Sequence, residues 1–274
     1  MDTLVNVGEV DGGTFSLEAA IAANPDVAIL AAWQFNALGE TVDRMEAAGI
    51  PVVVLDFNAQ TVEKHVASIA ALGGVLGEVE RAKTLSDIYS SAVADVSRRL
   101  IGVTDRPKVY MELGRKGADE IGNSWGNAMW GRLVKTAGGV NIAKDQVAKW
   151  GPISPEHVLT QNPEKIFLAG AAWTSSDKAV VMGPGVEPAL THAWMTPNME
   201  RPGWAALSAV KNGDIHAVYH GGARTTYDFT FLQYLAKTMH PEQFEDVDPQ
   251  ANLDAFFRDY MPIRFSGVYM TKLP

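Results

Sequence analysis

The chain has 274 residues, of which 47% are hydrophobic and 20% charged, and it carries a net charge of −9 and no cysteine. This composition is typical of a folded globular protein. The acidic charge argues against nucleic acid and anionic membranes as partners, and the absence of cysteine excludes disulfides and thiolate metal sites.

A 16-residue motif that begins at Ser16 occurs again, without a gap, from Ser154. The copies read SLEAAIAANPDVAILA and SPEHVLTQNPEKIFLA and share six identical residues. Each copy predicts a helix that begins after the serine, carries a glutamate in its first turn and ends at Asn-Pro before a short strand. The repetition about half a chain apart indicates two similar α/β lobes, with a chance echo of a common pattern as the alternative.

The first lobe alternates between helical and strand patterns. Its predicted elements are a strand over 27–31, a helix over 40–48, a β-branched strand over 51–55 and a helix over 61–76 with a break at Gly73 and Gly74. Apolar strands between helices are typical of a parallel sheet that is covered on both faces.

Apolar residues then recur every three or four positions from Glu78 to Ile101, which predicts one long continuous helix. We expect this helix to be a rigid connection between the lobes, and a long surface helix of a single domain is the alternative. The predicted organisation is a first lobe over 1–77, a spine helix and linker over 78–107, and a second lobe over 108–274.

The second lobe continues the alternation. Its predicted elements are strands over 108–113, 165–169 and 215–219 and helices over 132–137, 201–210, 229–239 and about 250–260. A strand and a helix that precede the repeat copy here have no counterpart in the first lobe. We therefore expect that the first lobe is incomplete in this chain, and that its missing part and any signal peptide precede Met1.

Three enzyme signatures are absent from the sequence, which has no G-x-G-x-x-G, P-loop or H-E-x-x-H motif, and its one match to G-x-S-x-G is GNSWG over 122–126. Its carboxylates and histidines form no recognisable acid–base or triad pattern. His216 and His220 are four residues apart, but a strand followed by a turn would not place them on one face. The sequence therefore predicts neither an enzyme, nor a cofactor, nor a metal site.

Six segments follow the order that is typical of one protein family. They are SLEAAIAANPDVAIL, AAGIPVVVLD, GEVERAKTLSDIYS, LVKTAGGVNIA, ISPEHVLTQNPEKIFLAG and GWAALSAVKNGDIHAVY, which together span about residues 7 to 237. In these segments the chain resembles the substrate-binding proteins of ABC importers for iron–siderophore complexes, haem and cobalamin. The chain departs from the family's pattern at its N-terminus, where the first strand and the first ligand-facing loop of the family should precede Val7.

The resemblance implies an α/β fold of two lobes, each with a mainly parallel sheet, joined by one long helix, with the ligand held between them. It implies a monomeric protein that captures a metal chelate outside the cytoplasm, with or without a lipid anchor, and delivers it to an ABC permease dimer. A ferric siderophore is the favoured ligand. The alternatives are haem or cobalamin, an oxyanion such as molybdate or tungstate, and, more distantly, a cytosolic α/β enzyme.

Candidate ligand-binding residues follow from the rule that ligands of parallel α/β sheets lie beyond the carboxyl ends of the strands. Aromatic and cationic side chains there suit a bulky organic chelate with acid groups. The predicted residues are Trp33, Gln34, Phe57, Arg115, Trp125, Trp173, His220, Arg224 and Tyr227, with Thr174 next to Trp173. Trp33 also matches a tryptophan that lines the cleft of the cobalamin-binding relative.

Each of these predictions has a structural alternative. Trp33 and Trp173 could equally cap the sheet within the core, and Arg115 could be a surface arginine. Trp125 lies at helical spacing from Met129 and Trp130, which favours packing. Gly221, Gly222 and Ala223 bring the backbone close to a neighbour just before Arg224, which favours Arg224 as a ligand contact. Lys178, His192 and Arg201 are predicted to be solvated.

Two glutamates occupy the same place in the repeat, at the second position of each predicted helix. In the family that the chain resembles, glutamates at the positions of Glu18 and Glu156 form salt bridges with arginines of the permease. The alternative is that each only complements the dipole of its helix, which would contribute roughly 0.3–1 kcal/mol.

Overall fold

The computed structural model describes residues 4–173 and 176–274, so the predicted Thr174 lies outside the described residues. The chain divides into two compact units, one up to Asp87 and the other from Ile88. The α-helices of the described residues are α1 (Leu17–Ala23), α2 (Ala32–Leu38), α3 (Glu40–Ala47), α4 (Val62–Leu76), α5 (Val79–Arg99), α6 (Met129–Thr136), α7 (Pro155–Gln161), α8 (Pro188–Met195), α9 (Ser208–Lys211), α10 (Phe229–Met239) and α11 (Pro249–Tyr260).

The strands combine mainly in parallel, and the predicted α/β class is confirmed. They are β1 (Ala28–Ala31), β2 (Val52–Leu55), β3 (Lys108–Leu113), β4 (Asn123–Trp125), β5 (Val140–Asn141), β6 (Trp150–Pro152), β7 (Lys165–Gly170), β8 (Ile215–Tyr219) and β9 (Met270–Lys272). The first unit has the parallel pair β1–β2, and the second has a five-stranded sheet in the order β5-β3-β7-β8-β9, in which only β9 is antiparallel. A separate antiparallel pair is formed by β4 and β6.

The sheet of the second unit is buried on both faces. Along β3, Val109 and Met111 belong to one hydrophobic cluster, whereas Tyr110 between them belongs to another. Successive side chains of a strand point to opposite faces, so the two clusters lie on the two sides of the sheet. This double covering explains why the central strands have continuous rather than alternating apolar sequences.

The repeated motif folds in the same way in both units. The Oγ atoms of Ser16 and Ser154 each accept a hydrogen bond, over 3.1 Å, from the backbone N–H three residues later, which is an N-cap. Asn24 and Asn162 end the helices in the left-handed conformation, with φ of 46° and 47°. Each helix is then followed by a parallel strand, β1 or β7.

The long helix α5 is continuous from Val79 to Arg99, close to the predicted bounds. The predicted break at Gly73 and Gly74 is wrong, because α4 continues through both glycines. A Cβ atom on Gly73 would lie 2.3 Å from the Cβ of Ala82 on α5. Gly73 is therefore used for the close approach of two helices and not to interrupt one.

Two other sequence-based assignments are wrong. The predicted helix over 201–210 is a 3₁₀ turn, Trp204–Ala206, followed by the short α9. Trp125 does not continue the helical spacing of Met129 and Trp130, because it lies on β4. The segment after β1 begins α2. Within the described residues no helix is both long and apolar enough to cross a membrane.

Candidate ligand-binding site

Three neighbouring parallel strands of the second unit, β3, β7 and β8, end at the same edge of the sheet. The segments that follow them carry Arg115, Trp173 and His220, as the strand-end rule predicts. His220 follows β8 directly and begins a 3₁₀ turn, whereas Arg115 is exposed. This edge is therefore the place in the unit where aromatic and cationic side chains leave the sheet.

His220 lies at the centre of an aromatic group. The centroid of its imidazole lies 5.7 Å from the ring of Trp125 and 5.8 Å from the ring of Trp173. The indole Nε1 of Trp130 donates a hydrogen bond to His220 Nδ1 over 3.4 Å. We refer to Trp125, Trp130, Trp173, His220 and Arg224 as the His220 cluster.

The backbone around Trp125 is fixed by neighbours. The side-chain amide of Asn141 donates to the carbonyl oxygens of Trp125 and Gly126 over 2.7 and 3.0 Å. Gly131 has no Cβ, which would otherwise lie 2.0 Å from the Gly126 oxygen. Trp125 and Trp130 are both buried, so they form the inner side of the cluster, whereas Trp173 is partly exposed.

Arg224 acts electrostatically on the same histidine. Burial and, to a smaller extent, the nearby charge of Arg224 together lower the pKa of His220 to about 3, so the imidazole is neutral at pH 7. Arg224 has a left-handed backbone with φ of 76°, and its N–H donates to Asp228 Oδ2 over 3.0 Å. Such a conformation is costly for a residue with a side chain and often marks a functional turn.

The glycines before Arg224 approach aromatic rings of the protein itself. A Cβ on Gly222 would lie 2.2 Å from the ring of Phe231, and one on Gly221 would lie 2.7 Å from Tyr219. Tyr227 packs with its ring 5.5 Å from Phe256 and 5.4 Å from Phe257. Burial raises the pKa of the Tyr227 hydroxyl, which therefore stays protonated.

The prediction that Arg201 is solvated is wrong. Its guanidinium pairs with both oxygens of Glu112 on β3 over 2.7 and 2.8 Å, and both side chains are buried. Arg201 also donates to the carbonyl oxygens of Gly117, Ala118 and Glu120. The ion pair thus fixes the loop after β3. In the sequence, the one sign of this buried pair is the single acid, Glu112, in the mainly apolar strand KVYMEL.

The other two residues that were expected to be solvated differ from each other. Lys178 is exposed and pairs with Asp119 on the surface. His192 is partly buried, and its Nε2 lies 2.9 Å from Thr271 Oγ1, so the prediction for His192 is wrong. The inner position of His192 follows from α8, a helix that the sequence did not predict.

The predicted residues of the first unit have separate local roles. Trp33 lies in the first turn of α2 and is 37% exposed. Gln34 Oε1 accepts the backbone N–H of Ala31 over 2.8 Å and so caps this helix. Phe57 follows β2 and packs edge-on against His65 with ring centroids 5.0 Å apart. Of these three, Trp33 presents the most aromatic surface to solvent.

The two repeat glutamates are exposed, as expected. Glu18 and Glu156 each occupy the second position of a helix, in α1 and α7. Glu18 also accepts a hydrogen bond from Ser16 Oγ over 3.3 Å. Neither carboxylate is needed for packing, so both are accessible to a partner.

The sequence of the chain is similar to those of known proteins. The model of a family described as periplasmic binding protein matches residues 3–192. The vitamin B12-binding protein of Salmonella typhimurium is 24% identical over 157 residues, which cover 57% of this chain and 56% of that protein. The chain thus spans little more than half the length of this curated relative.

Solved structures of periplasmic binding proteins also resemble this chain. The TroA-like periplasmic binding protein FepB from Veillonella parvula has a TM-score of 0.87 and 35% identity, covering 98% of this chain and 77% of that one. The molybdate periplasmic binding protein MolA from Haemophilus influenzae, solved with molybdate, has a TM-score of 0.70 and 17% identity, covering 92% and 77%. At that identity the second likeness shows the fold alone. The proteins matched are binding proteins and not enzymes.

Proposed function

The chain belongs to the periplasmic binding protein family, and we propose that it captures a metal chelate, with a ferric siderophore as the favoured ligand, and delivers it to an ABC importer. The ligand is cargo, so no resident cofactor is required. This function places the protein outside the cytoplasm.

The observation that carries the proposal is the His220 cluster. Trp125 and Trp173 flank His220 at the carboxyl edge of the sheet, and the charge of Arg224 acts on the same place. Aromatic rings offer a flat apolar wall, and an arginine can pair with acid groups in two-point geometry. This combination suits a bulky organic chelate with anionic oxygens.

A small oxyanion is the second candidate, since a molybdate-binding protein shares the fold. Such an ion needs a small enclosure of hydrogen-bond donors, and large indole rings contribute apolar surface that it cannot use. The indole rings around His220 therefore favour the chelate. Haem and cobalamin are also large chelates, and the cluster alone does not favour either over a siderophore.

Delivery to a permease is supported by the repeat. Glu18 and Glu156 are exposed acids at equivalent helix positions. Two matching acids suit a partner that is itself twofold symmetric and carries arginines, such as a permease dimer. We propose that these two glutamates contact it.

Ligand identity is tested by a binding screen. The seven tryptophans should report binding by a change in fluorescence, and thermal unfolding gives an independent readout. The probes are a ferric tris-catecholate siderophore, a ferric hydroxamate siderophore, haemin, cyanocobalamin and molybdate. We expect a ferric siderophore to raise Tm and quench fluorescence, and a response to molybdate alone would overturn the chelate assignment.

A further inference from the structure

The position of one proton on His220 follows from its neighbour. An indole N–H can only donate a hydrogen bond, and the atom of His220 that faces Trp130 Nε1 is Nδ1, at 3.4 Å. Trp130 is fully buried, so its N–H would be costly to leave without an acceptor. Turning the imidazole over would place a carbon there. Nδ1 must therefore present its lone pair.

The other ring nitrogen then carries the proton. A neutral imidazole has one N–H, and burial next to Arg224 keeps His220 neutral, with a pKa of about 3. No hydrogen bond from Nε2 to another described residue is found. The cluster thus holds a neutral N–H donor between two indole rings, with no acceptor from the described part of the protein.

We propose that His220 donates this Nε2–H to an oxygen of the ligand and does not ligate a metal. The proposal rests on the function proposed above and narrows it. The favoured ligand is a chelate whose own donors fill the coordination sphere of its metal and whose outer surface carries carbonyl, phenolate or carboxylate oxygens.

Ligation of a metal by His220 is inconsistent with the hydrogen bond from Trp130 to His220 Nδ1. To bind an iron with an open axial position, Nε2 must offer a lone pair, which moves the proton to Nδ1. Two N–H groups, of Trp130 and His220, would then face each other inside the protein. Trp130 thus disfavours metal ligation by His220. It acts as a positioning residue, because its hydrogen bond stabilises the Nε2–H tautomer of His220.

The first test uses the protein without ligand. Long-range ¹H–¹⁵N correlation spectra distinguish the two neutral tautomers and the imidazolium. We expect His220 to be the Nε2–H tautomer from pH 5 to 8, and Trp130→Phe should add a population with the proton on Nδ1. A protonated Nδ1 in the wild-type protein would overturn the proposal whether or not the chelate assignment is correct.

The second test uses binding of the ferric tris-catecholate probe. His220→Gln keeps an N–H donor in about the same place, whereas His220→Leu removes it. We expect about a tenfold loss of affinity for the Leu variant and a change within about threefold for the Gln variant. Equal losses for both variants would overturn the donor role.

The absorption spectrum of bound haemin distinguishes hydrogen-bond donation by His220 from ligation of the iron by His220. If haemin binds, its absorption spectrum should be the same in wild type and His220→Leu, because His220 does not reach the iron as a ligand. His192→Leu, outside the cluster, is the matched control. An iron–imidazole spectrum that only His220→Leu abolishes would overturn the proposal.

Discussion

Arg201 and Glu112 form a two-point ion pair in the interior of the second unit, with side chains that are 3% and 0% exposed. Arg201 also lies over the ring of Trp204, 4.6 Å from its centroid. A buried ion pair need not add net stability, but the loss of one partner leaves the other charge without compensation. The conformation of the loop after β3 therefore depends on Arg201, which is distant from it in the sequence.

The variant Arg201→Met should lower the free energy of unfolding by about 3–5 kcal/mol, because Glu112 would stay buried without its cation. Urea denaturation followed by circular dichroism measures this change. Arg258→Met, which breaks an exposed pair with Asp259, is the control and should cost less than about 1 kcal/mol. Equal effects of the two substitutions would contradict a structural role for the buried pair.

Adjacent glycines of α4 should respond to alanine with opposite signs. Gly73→Ala should destabilise the protein by about 1–3 kcal/mol, because its Cβ would collide with that of Ala82. Gly74→Ala should stabilise it by about 0.5–1 kcal/mol, since its added Cβ would have no atom within 4 Å beyond its chain neighbours and its own helix backbone, and alanine favours helix. Thermal unfolding of both variants measures the two changes in stability. A higher Tm for Gly73→Ala than for the wild type would disprove the close packing of α4 against α5.

The buried His216 should make stability depend on pH. Its ring stacks on Phe167 at 4.9 Å, and its Nδ1 lies 2.9 Å from the Tyr234 hydroxyl. Burial lowers the pKa of His216 to about 3, with Asp214 opposing and Lys272 and Lys165 assisting. The unfolded chain therefore binds a proton between pH 6.5 and about 3 that the folded chain does not, and stability falls as the pH falls through this window.

Replacement of this histidine should reduce that dependence. His216→Gln should remove about 1.4 kcal/mol per pH unit from the slope of the unfolding free energy between pH 5.5 and 4. Urea denaturation at several pH values gives the slope. Above pH 7 the wild type and the variant should have the same slope, which is the internal control. An unchanged slope at acidic pH would show that His216 is not the residue responsible.

Arg224→Ala should weaken binding of the ferric siderophore about ten- to a hundredfold, because it removes a charge-assisted hydrogen bond worth roughly 1.5–3 kcal/mol. Tryptophan quenching measures the affinity. Arg264→Ala, at an exposed position of the same unit, should leave it unchanged. If both variants bind as the wild type does, Arg224 is not a ligand contact.

Replacement of Glu18 and Glu156 together by alanine should leave ligand affinity intact and abolish uptake, with each single change weaker. Uptake of labelled ferric siderophore in cells that carry the cognate importer is the measurement. Glu63→Ala is a matched control, since Glu63 is an exposed acid at the second position of α4. Normal uptake by the double variant would leave both glutamates as helix-end acids only.

Local signals in the sequence predicted much of the fold. The bounds of β3, β8 and α10 agree with the prediction, because apolar runs and glycine or proline at their ends specify each element. The matching serine and asparagine caps likewise predicted α1 and α7. Such signals act within a few residues and need no knowledge of the rest of the chain.

Features that depend on distant contacts were not predictable in this way. Gly73 has the sequence of a helix break and is used for packing, because Ala82 on the next helix decides its role. Arg201 is far from Glu112 in sequence, so its burial could not be foreseen. For the candidate site, the strand-end rule placed Trp173 and His220 at one edge, whereas the hydrogen bond from Trp130 depends on tertiary packing.

The two units are each one continuous stretch of sequence, and the chain passes from one to the other inside α5. In evolutionary terms, one recombination point within the codons of α5 would exchange a whole unit between related genes. A junction that preserves the helical register would keep the apolar face of α5 aligned. The His220 cluster would be inherited intact in such an exchange, because all its members are encoded after that point.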